Sequence, residues 1–294
     1  MEQTLKTYFK KLKMDKKSVQ TIKYYERVIK DFVDFVKKDV KDVNKTDILS
    51  YKFALLDRGL ADTSVNTYLL AVQSFFSYLI EYDLYQSKNP AFGELISVGQ
   101  RHPEFLTDEE IIKMIKVSRS ELDKALILTL VSTGLRFSEL ATFKFDKIQR
   151  YVDDGETWAR ATVIGKGNKE RLLIIPPSVL ATIENYYYNH RPETKLTTVF
   201  VNREGNELDN FSLNRKFKSL ARKAKLDNPD RVHAHLFRHT FATMSLRNGV
   251  GLAVIQDALG HKNIATTKMY AHTDDKMLID AAKANNKLFA GGLV

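Results

Sequence analysis

Four short stretches of this sequence hold residue types that can work together on a phosphate. In His233-Ala-His-Leu-Phe-Arg-His239, His235 and Arg238 are three residues apart, so a helix would carry both on one face. Phe237, Phe241 and Met244 would fall on another face and anchor that helix in a core. An imidazole fixed beside a guanidinium suits a phosphate. Arginine offers a bidentate fork and permanent charge, and histidine gives or takes a proton near pH 7. A polar surface helix would carry the same residues. Three histidines also raise a metal site, but no carboxylate cluster accompanies them, so no metal is expected.

In Thr133-Gly-Leu-Arg-Phe-Ser-Glu-Leu140, Arg136 follows a glycine suited to end a helix and precedes another helical segment. A side chain in such a turn can point into a cleft, and Glu139 can pair with a cation and hold it in place. An arginine after glycine is also an ordinary surface charge. Lys166 stands between Gly165 and Gly167 at the tip of an expected hairpin, where glycine permits close approach to a ligand. Lysine can donate a proton if neighbouring cations lower its pKa, and an exposed turn lysine is the plainer reading. His261 and Tyr270 lie nine residues apart. A tyrosine there is either half-buried packing or a nucleophile, and a phenol with a pKa of about 10 needs help to attack at neutral pH.

These residues need elements to position them. Residues 1–95 read as four helices. Leu5, Tyr8 and Leu12 form one apolar face; Ile22, Ile29, Phe32 and Val36 form a second, after an N-cap at Ser18. A third helix is expected from near Thr46 to Gly59, and a fourth carries Val65, Leu69, Val72, Phe76 and Leu79. None of these faces is buried unless it packs on the others. Residues 96–104 lack either periodicity and read as a linker. Within 105–294, Thr107 and Glu110 form a capping box, and a helix runs from about Glu121 to Thr133 with Gly134 as its C-cap. Residues 157–175 change to strand periodicity around Gly165–Asn168, and the pattern is helical again from Pro177. A short helix is expected over Asp275–Leu288, bearing Met277, Leu278, Ala281 and Ala282.

The net charge is +10 over 294 residues, with both halves basic, which suits an extended polyanionic partner as well as a solvated lysine-rich surface. The chain has no cysteine. That excludes disulfides, thiolate nucleophiles and cysteine-based zinc sites, and it suits a reducing cytoplasm. No uncharged apolar run approaches the roughly 18 residues that cross a bilayer, and no secretory signal opens the sequence. A membrane location is not expected.

Taken in order, TGLRFSEL, GKGNKER, HLFRHTFAT and LGHKNIATTKMYAH resemble the tyrosine recombinase (phage integrase) family, most of all its Xer-type members, over essentially the whole chain. The resemblance implies a mainly α fold with a small antiparallel β-sheet. Residues 1–95 would be a four-helix, SAM-like core-binding domain, and residues 105–294 an α+β catalytic domain whose tail docks on a neighbouring protomer. It implies the catalytic set Arg136, Lys166, His235, Arg238, His261 and Tyr270. Tyr270 would attack a DNA phosphodiester to leave a 3′-phosphotyrosyl link and a 5′-hydroxyl. Arg136, Arg238 and His261 would stabilise the transition state, Lys166 would protonate the leaving oxygen, and His235 would be the proton partner of Tyr270. No cofactor, metal or ATP would be needed. The implied partner is double-stranded DNA with two inverted half-sites, bound by a homo-tetramer or by a hetero-tetramer with a paralogue.

The implied role is chromosome or plasmid dimer resolution in the cytoplasm, with integration of a mobile element as the alternative. Two departures stand out: residues 150–161 read as a few residues longer than in compact Xer proteins, and no additional N-terminal arm-binding domain is expected, which would argue against a lambda-type integrase. A type IB topoisomerase would share the chemistry but relax supercoils rather than recombine. A non-catalytic architectural DNA-binding protein would explain the charge and the helices, but would not form a covalent adduct.

Overall fold

The computed structural model describes residues 2–99, 104–165, 170–260 and 275–286. The chain divides into two compact units, residues 1–101 and 102–294.

The first unit is built from α1 (Glu2–Met14), α2 (Val19–Val36), α3 (Lys45–Asp57) and α4 (Asp62–Glu81). Ser18 caps α2 by accepting the Thr21 N–H at 3.0 Å, and Asn44 with Asp47 forms a reciprocal capping box on α3. The apolar faces read from the sequence meet in one core, where Phe32 contacts Tyr51 and Phe76 edge-on and Tyr8 contacts Phe75 in the same way. Asn66 bonds both backbone groups of Ile96, donating to its carbonyl and accepting from its N–H. The start of the stretch expected as a linker is therefore fastened to this unit.

The second unit is organised around α6 (Glu121–Thr133), a helix buried on almost every side. Such a helix needs partners all round. It receives α5 (Asp108–Val117), α8 (Pro177–Asn185), α10 (Ala234–Arg247) and the sheet. The Thr107–Glu110 capping box opens α5 as the sequence indicates. α6 ends at Gly134, whose φ of 59° lies in the left-handed region. A Cβ there would sit 2.7 Å from both the Leu259 and Phe241 side chains, so conformation and space both demand glycine. The next residues enter the short helix α7 (Phe137–Ala141).

The sheet has three antiparallel strands in the order β1 (Gln149–Asp153), β2 (Glu156–Ile164) and β3 (Glu170–Ile175). Tyr151 pairs with Trp158, and Ala161 with Leu173. The hairpin expected from the sequence is β2–β3; β1 was not foreseen. Its Gln-Arg-Tyr-Val-Asp residues form an edge strand with no fully buried side chain, which removes the apolar alternation by which strands are recognised. Asp154 and Gly155 join β1 to β2 with positive φ at both positions, as a two-residue Asp-Gly hairpin turn requires.

One face of β2 and β3 presents Ala159, Ala161, Val163, Leu173 and Ile175 to the main core. The opposite face carries Trp158 and Ile174, and α12 (Asp275–Asn286) covers them with Leu278, Ile279 and Ala282. Lys283 pairs with Asp153 and Asp154, and Asn285 bonds Ser245 and Asn248. The C-terminal helix thus lies on its own unit, and the rest of the tail expected to dock on a neighbour, residues 287–294, lies outside the described residues. α9 (Asn210–Lys223) and α11 (Leu252–Leu259) complete the unit.

Candidate active site

The site is assembled from four chain segments. α10 is fixed first: the His233 ring nitrogen accepts the Leu236 N–H at 3.1 Å, Asn214 accepts the Ala234 N–H, and Phe237, Phe241 and Met244 are buried. That places Arg238 one turn into the helix and 97% removed from solvent by its 3% exposure. Its guanidinium donates to the Gly134 carbonyl at 2.7 Å and to the Leu259 carbonyl.

Arg136 follows Gly134 by two residues and opens α7. The Glu139 carboxylate, 1% exposed, accepts the Arg136 backbone N–H at 2.9 Å and its Nη1 at 2.8 Å. The pairing anticipated from the three-residue spacing is present. Nη2 of Arg136 reaches the Gly260 carbonyl at 3.3 Å. A third arginine enters from β3: Arg171 donates Nη2 to Glu139 at 2.9 Å and Nη1 to the Ala258 carbonyl.

Arg171, Arg238 and Arg136 therefore hold three successive carbonyls, those of Ala258, Leu259 and Gly260, at the C-terminal end of α11. The last carbonyls of a helix have no partner within it and carry partial negative charge, so cations are favourable there. Gly260, with φ 62°, turns the chain out of the helix immediately before His261.

Three cations around one carboxylate leave excess positive charge. Burial opposes ionisation of Glu139, but Arg171 and Arg136 outweigh it and hold its carboxyl below the ordinary value. Burial, then Arg136 and Arg171, push Arg238 down to about 9, still charged at neutral pH. His235 is exposed on α10, with its ring edge-on to His239 at 4.6 Å. The part of the ring that packs against the protein loses water, and this, then His239 and Arg238, pushes the His235 pKa down, which favours the neutral imidazole at pH 7. The arrangement can take an anion with at least two negative oxygens and offer it a neutral imidazole.

The structure brings Arg136, His235 and Arg238 into one cluster. Lys166, His261 and Tyr270 lie outside the described residues. Sequence reasoning missed Arg171. Its signal was available: residues 171, 173 and 175 share one face of a strand, and Leu173 and Ile175 are core residues, so an arginine in that row calls for an internal anion.

Residues 104–277 match the model of the phage integrase family, and residues 4–86 match that of the phage integrase N-terminal SAM-like domain. The chain belongs to the phage integrase family.

Within it, the chain is similar to tyrosine recombinase XerD of Listeria monocytogenes, at 30% identity over 282 residues covering 90% of this chain and 92% of that protein. It is also similar to tyrosine recombinase XerA of Pyrococcus furiosus, at 29% identity covering 94% and 92%. Among solved structures, it resembles the XerH site-specific recombinase bound to palindromic difH substrate, with a TM-score of 0.69 at 23% identity, covering 90% of this chain and 80% of that one. The Tn1549 transposon integrase in complex with circular intermediate DNA gives a TM-score of 0.68 at 19% identity, covering 97% and 99%. These two likenesses establish the fold: mainly helical, with a small antiparallel sheet. The activity is that of a Xer-like, tyrosine-type DNA strand transferase, a site-specific recombinase. No described helix is long and apolar enough to cross a membrane.

Proposed function

We propose that Tyr270 is the nucleophile and that Arg136, Lys166, His235, Arg238 and His261 act with it on one DNA phosphate. The phenol oxygen of Tyr270 forms a bond to phosphorus, its proton passes to neutral His235, and the bond from phosphorus to the 5′-oxygen breaks. Lys166 protonates that oxygen. The products are a 3′-phosphotyrosyl link and a 5′-hydroxyl, and attack by a 5′-hydroxyl from another duplex reverses the step. One such exchange leaves a Holliday junction. The covalent link conserves the phosphodiester bond energy, so no ATP enters.

The observation that supports this reading is the pair of guanidiniums on adjacent carbonyls, Arg238 on Leu259 and Arg136 on Gly260, directly before His261 in the sequence. A guanidinium has five N–H donors and each of these uses two on protein partners, so donors remain for non-bridging oxygens. Such donors stabilise the transition state most when they are positioned before the substrate arrives.

The substrate site is two inverted half-sites, a form suggested by the palindromic difH substrate of XerH. Four protomers, identical or paired with a paralogue, act on two such sites in the cytoplasm to resolve chromosome or plasmid dimers. A suicide duplex nicked near the cleavage phosphate tests the chemistry. Wild-type chain becomes covalently attached and Tyr270→Phe does not; an adduct surviving in the variant on a denaturing gel moves the nucleophile elsewhere. Mapping the attachment point on DNA flanking the gene and on the replication terminus separates dimer resolution from integration of a mobile element.

A further inference from the structure

Arg171 is 8% exposed and has both terminal nitrogens engaged, so it has no route to a DNA phosphate. Its two bonds point in different directions. One reaches Glu139, the carboxylate that holds both the backbone and the side chain of Arg136. The other reaches Ala258, one residue before the carbonyl that Arg238 holds and two before the one that Arg136 holds. The aliphatic part of Arg171 also closes on the helix end, since a Cβ at Gly260 would lie 3.2 Å from its Cδ. Arg171 itself stands five residues after Lys166 in the sequence, second in β3, in register with buried Val163.

We infer that Arg171 is a positioning residue for strand cleavage, fastening β3, the start of α7 and the end of α11 into one frame so that Arg136 and Arg238 stay aimed at the scissile phosphate. The inference rests on the strand-cleavage reading above. A single cation for Glu139 would not need an arginine. Bonding a carboxylate and a carbonyl on different elements at once requires the planar fork, which lysine lacks. A buried pair kept only for stability is replaceable by apolar residues with little loss, whereas a frame for two catalytic groups is not.

The test uses Arg171→Gln and Arg171→Lys in the full chain. Half-site binding is measured by gel shift, and strand cleavage by single-turnover covalent trapping on the nicked suicide duplex. The charged groups that face Glu139 are Arg136 at the start of α7, Arg171 from β3 and Arg238 from α10. In Arg171→Gln, binding should stay near wild type while trapping slows about 100-fold, the scale for displacing a catalytic group by about 1 Å. Arg171→Lys keeps the charge, so it should recover part of the loss yet trap about 10-fold more slowly than wild type, because it bonds one partner at a time.

Wild-type trapping in Arg171→Gln overturns the inference, as does a parallel loss of binding and trapping. If Arg171→Gln does not fold, a wild-type trapping rate in Arg171→Lys overturns it. Absence of any adduct with the wild-type chain would instead sink the strand-cleavage reading itself.

Discussion

Replacing Glu139 with glutamine keeps the shape of the side chain and removes its charge. Glu139 is 1% exposed and accepts from the Arg136 backbone at 2.9 Å, from Arg136 Nη1 at 2.8 Å and from Arg171 Nη2 at 2.9 Å. An amide has one acceptor oxygen, so its NH2 group must face an N–H donor, and the cations around it lose their anion. Removing one partner of a buried pair costs about 3–5 kcal/mol. The 28% exposure of the Arg136 side chain lets water recover part of that, which favours the lower end, about 3 kcal/mol. For a unit of this size each kcal/mol moves the midpoint by about 2–4 °C, so a fall of roughly 6–12 °C is expected at pH 7.

The pH dependence has a definite sign. The folded Glu139 carboxyl titrates below its ordinary value of 4.5, so its contribution is complete above that value. It is lost as pH falls through the folded value, so the gap between wild type and Glu139→Gln should narrow in acid. Scanning calorimetry of both proteins over a pH series reads this directly. An unchanged midpoint at pH 7, or a gap that widens towards acid, would refute the reasoning.

Three further outcomes follow from the same geometry. Arg238→Ala should bind half-site DNA with little change yet lose about 10²–10³ in single-turnover trapping, the usual effect of deleting one transition-state donor; wild-type trapping would remove Arg238 from the site. Gly134→Ala introduces a Cβ at positive φ, 2.7 Å from Leu259 and Phe241 side chains. About 1–2 kcal/mol for the backbone and 1–3 kcal/mol for overpacking predict a clear drop in the urea midpoint, and an unchanged midpoint would contradict it. Burial first, then neighbouring cations, hold His233 and His235 below 6.5, so the unfolded chain takes up protons first as pH falls below that value. Wild type should therefore lose stability below pH 6.5 more steeply than a His233→Gln/His235→Gln variant; parallel curves would count against the depressed values.

The parts of the fold most legible in the sequence were those governed by local chemistry. Ser18, Thr107 with Glu110, and Gly134 each act within a few residues of themselves, and each does in the structure what its type and position suggest. The pairing of Arg136 with Glu139 was legible for the same reason. β1 was not, because an edge strand is specified by its neighbour Trp158 across the sheet rather than by its own apolar pattern. The grip of three arginines on α11 was also hidden. Arg171, Arg136 and Arg238 lie on separate elements, and their shared partners are backbone carbonyls, which carry no side-chain identity to read.

Consecutive peptide carbonyls at a folded helix end are held at a set spacing by the hydrogen bonds of that end. Guanidiniums tethered to Ala258, Leu259 and Gly260 are therefore indexed at the spacing of the backbone itself. The separation between those charges is then set by one helix end rather than by three separate elements. On the reading proposed above, two of these positive groups straddle a single phosphorus atom, and a common anchor keeps that pair in register better than stiffness of each alone.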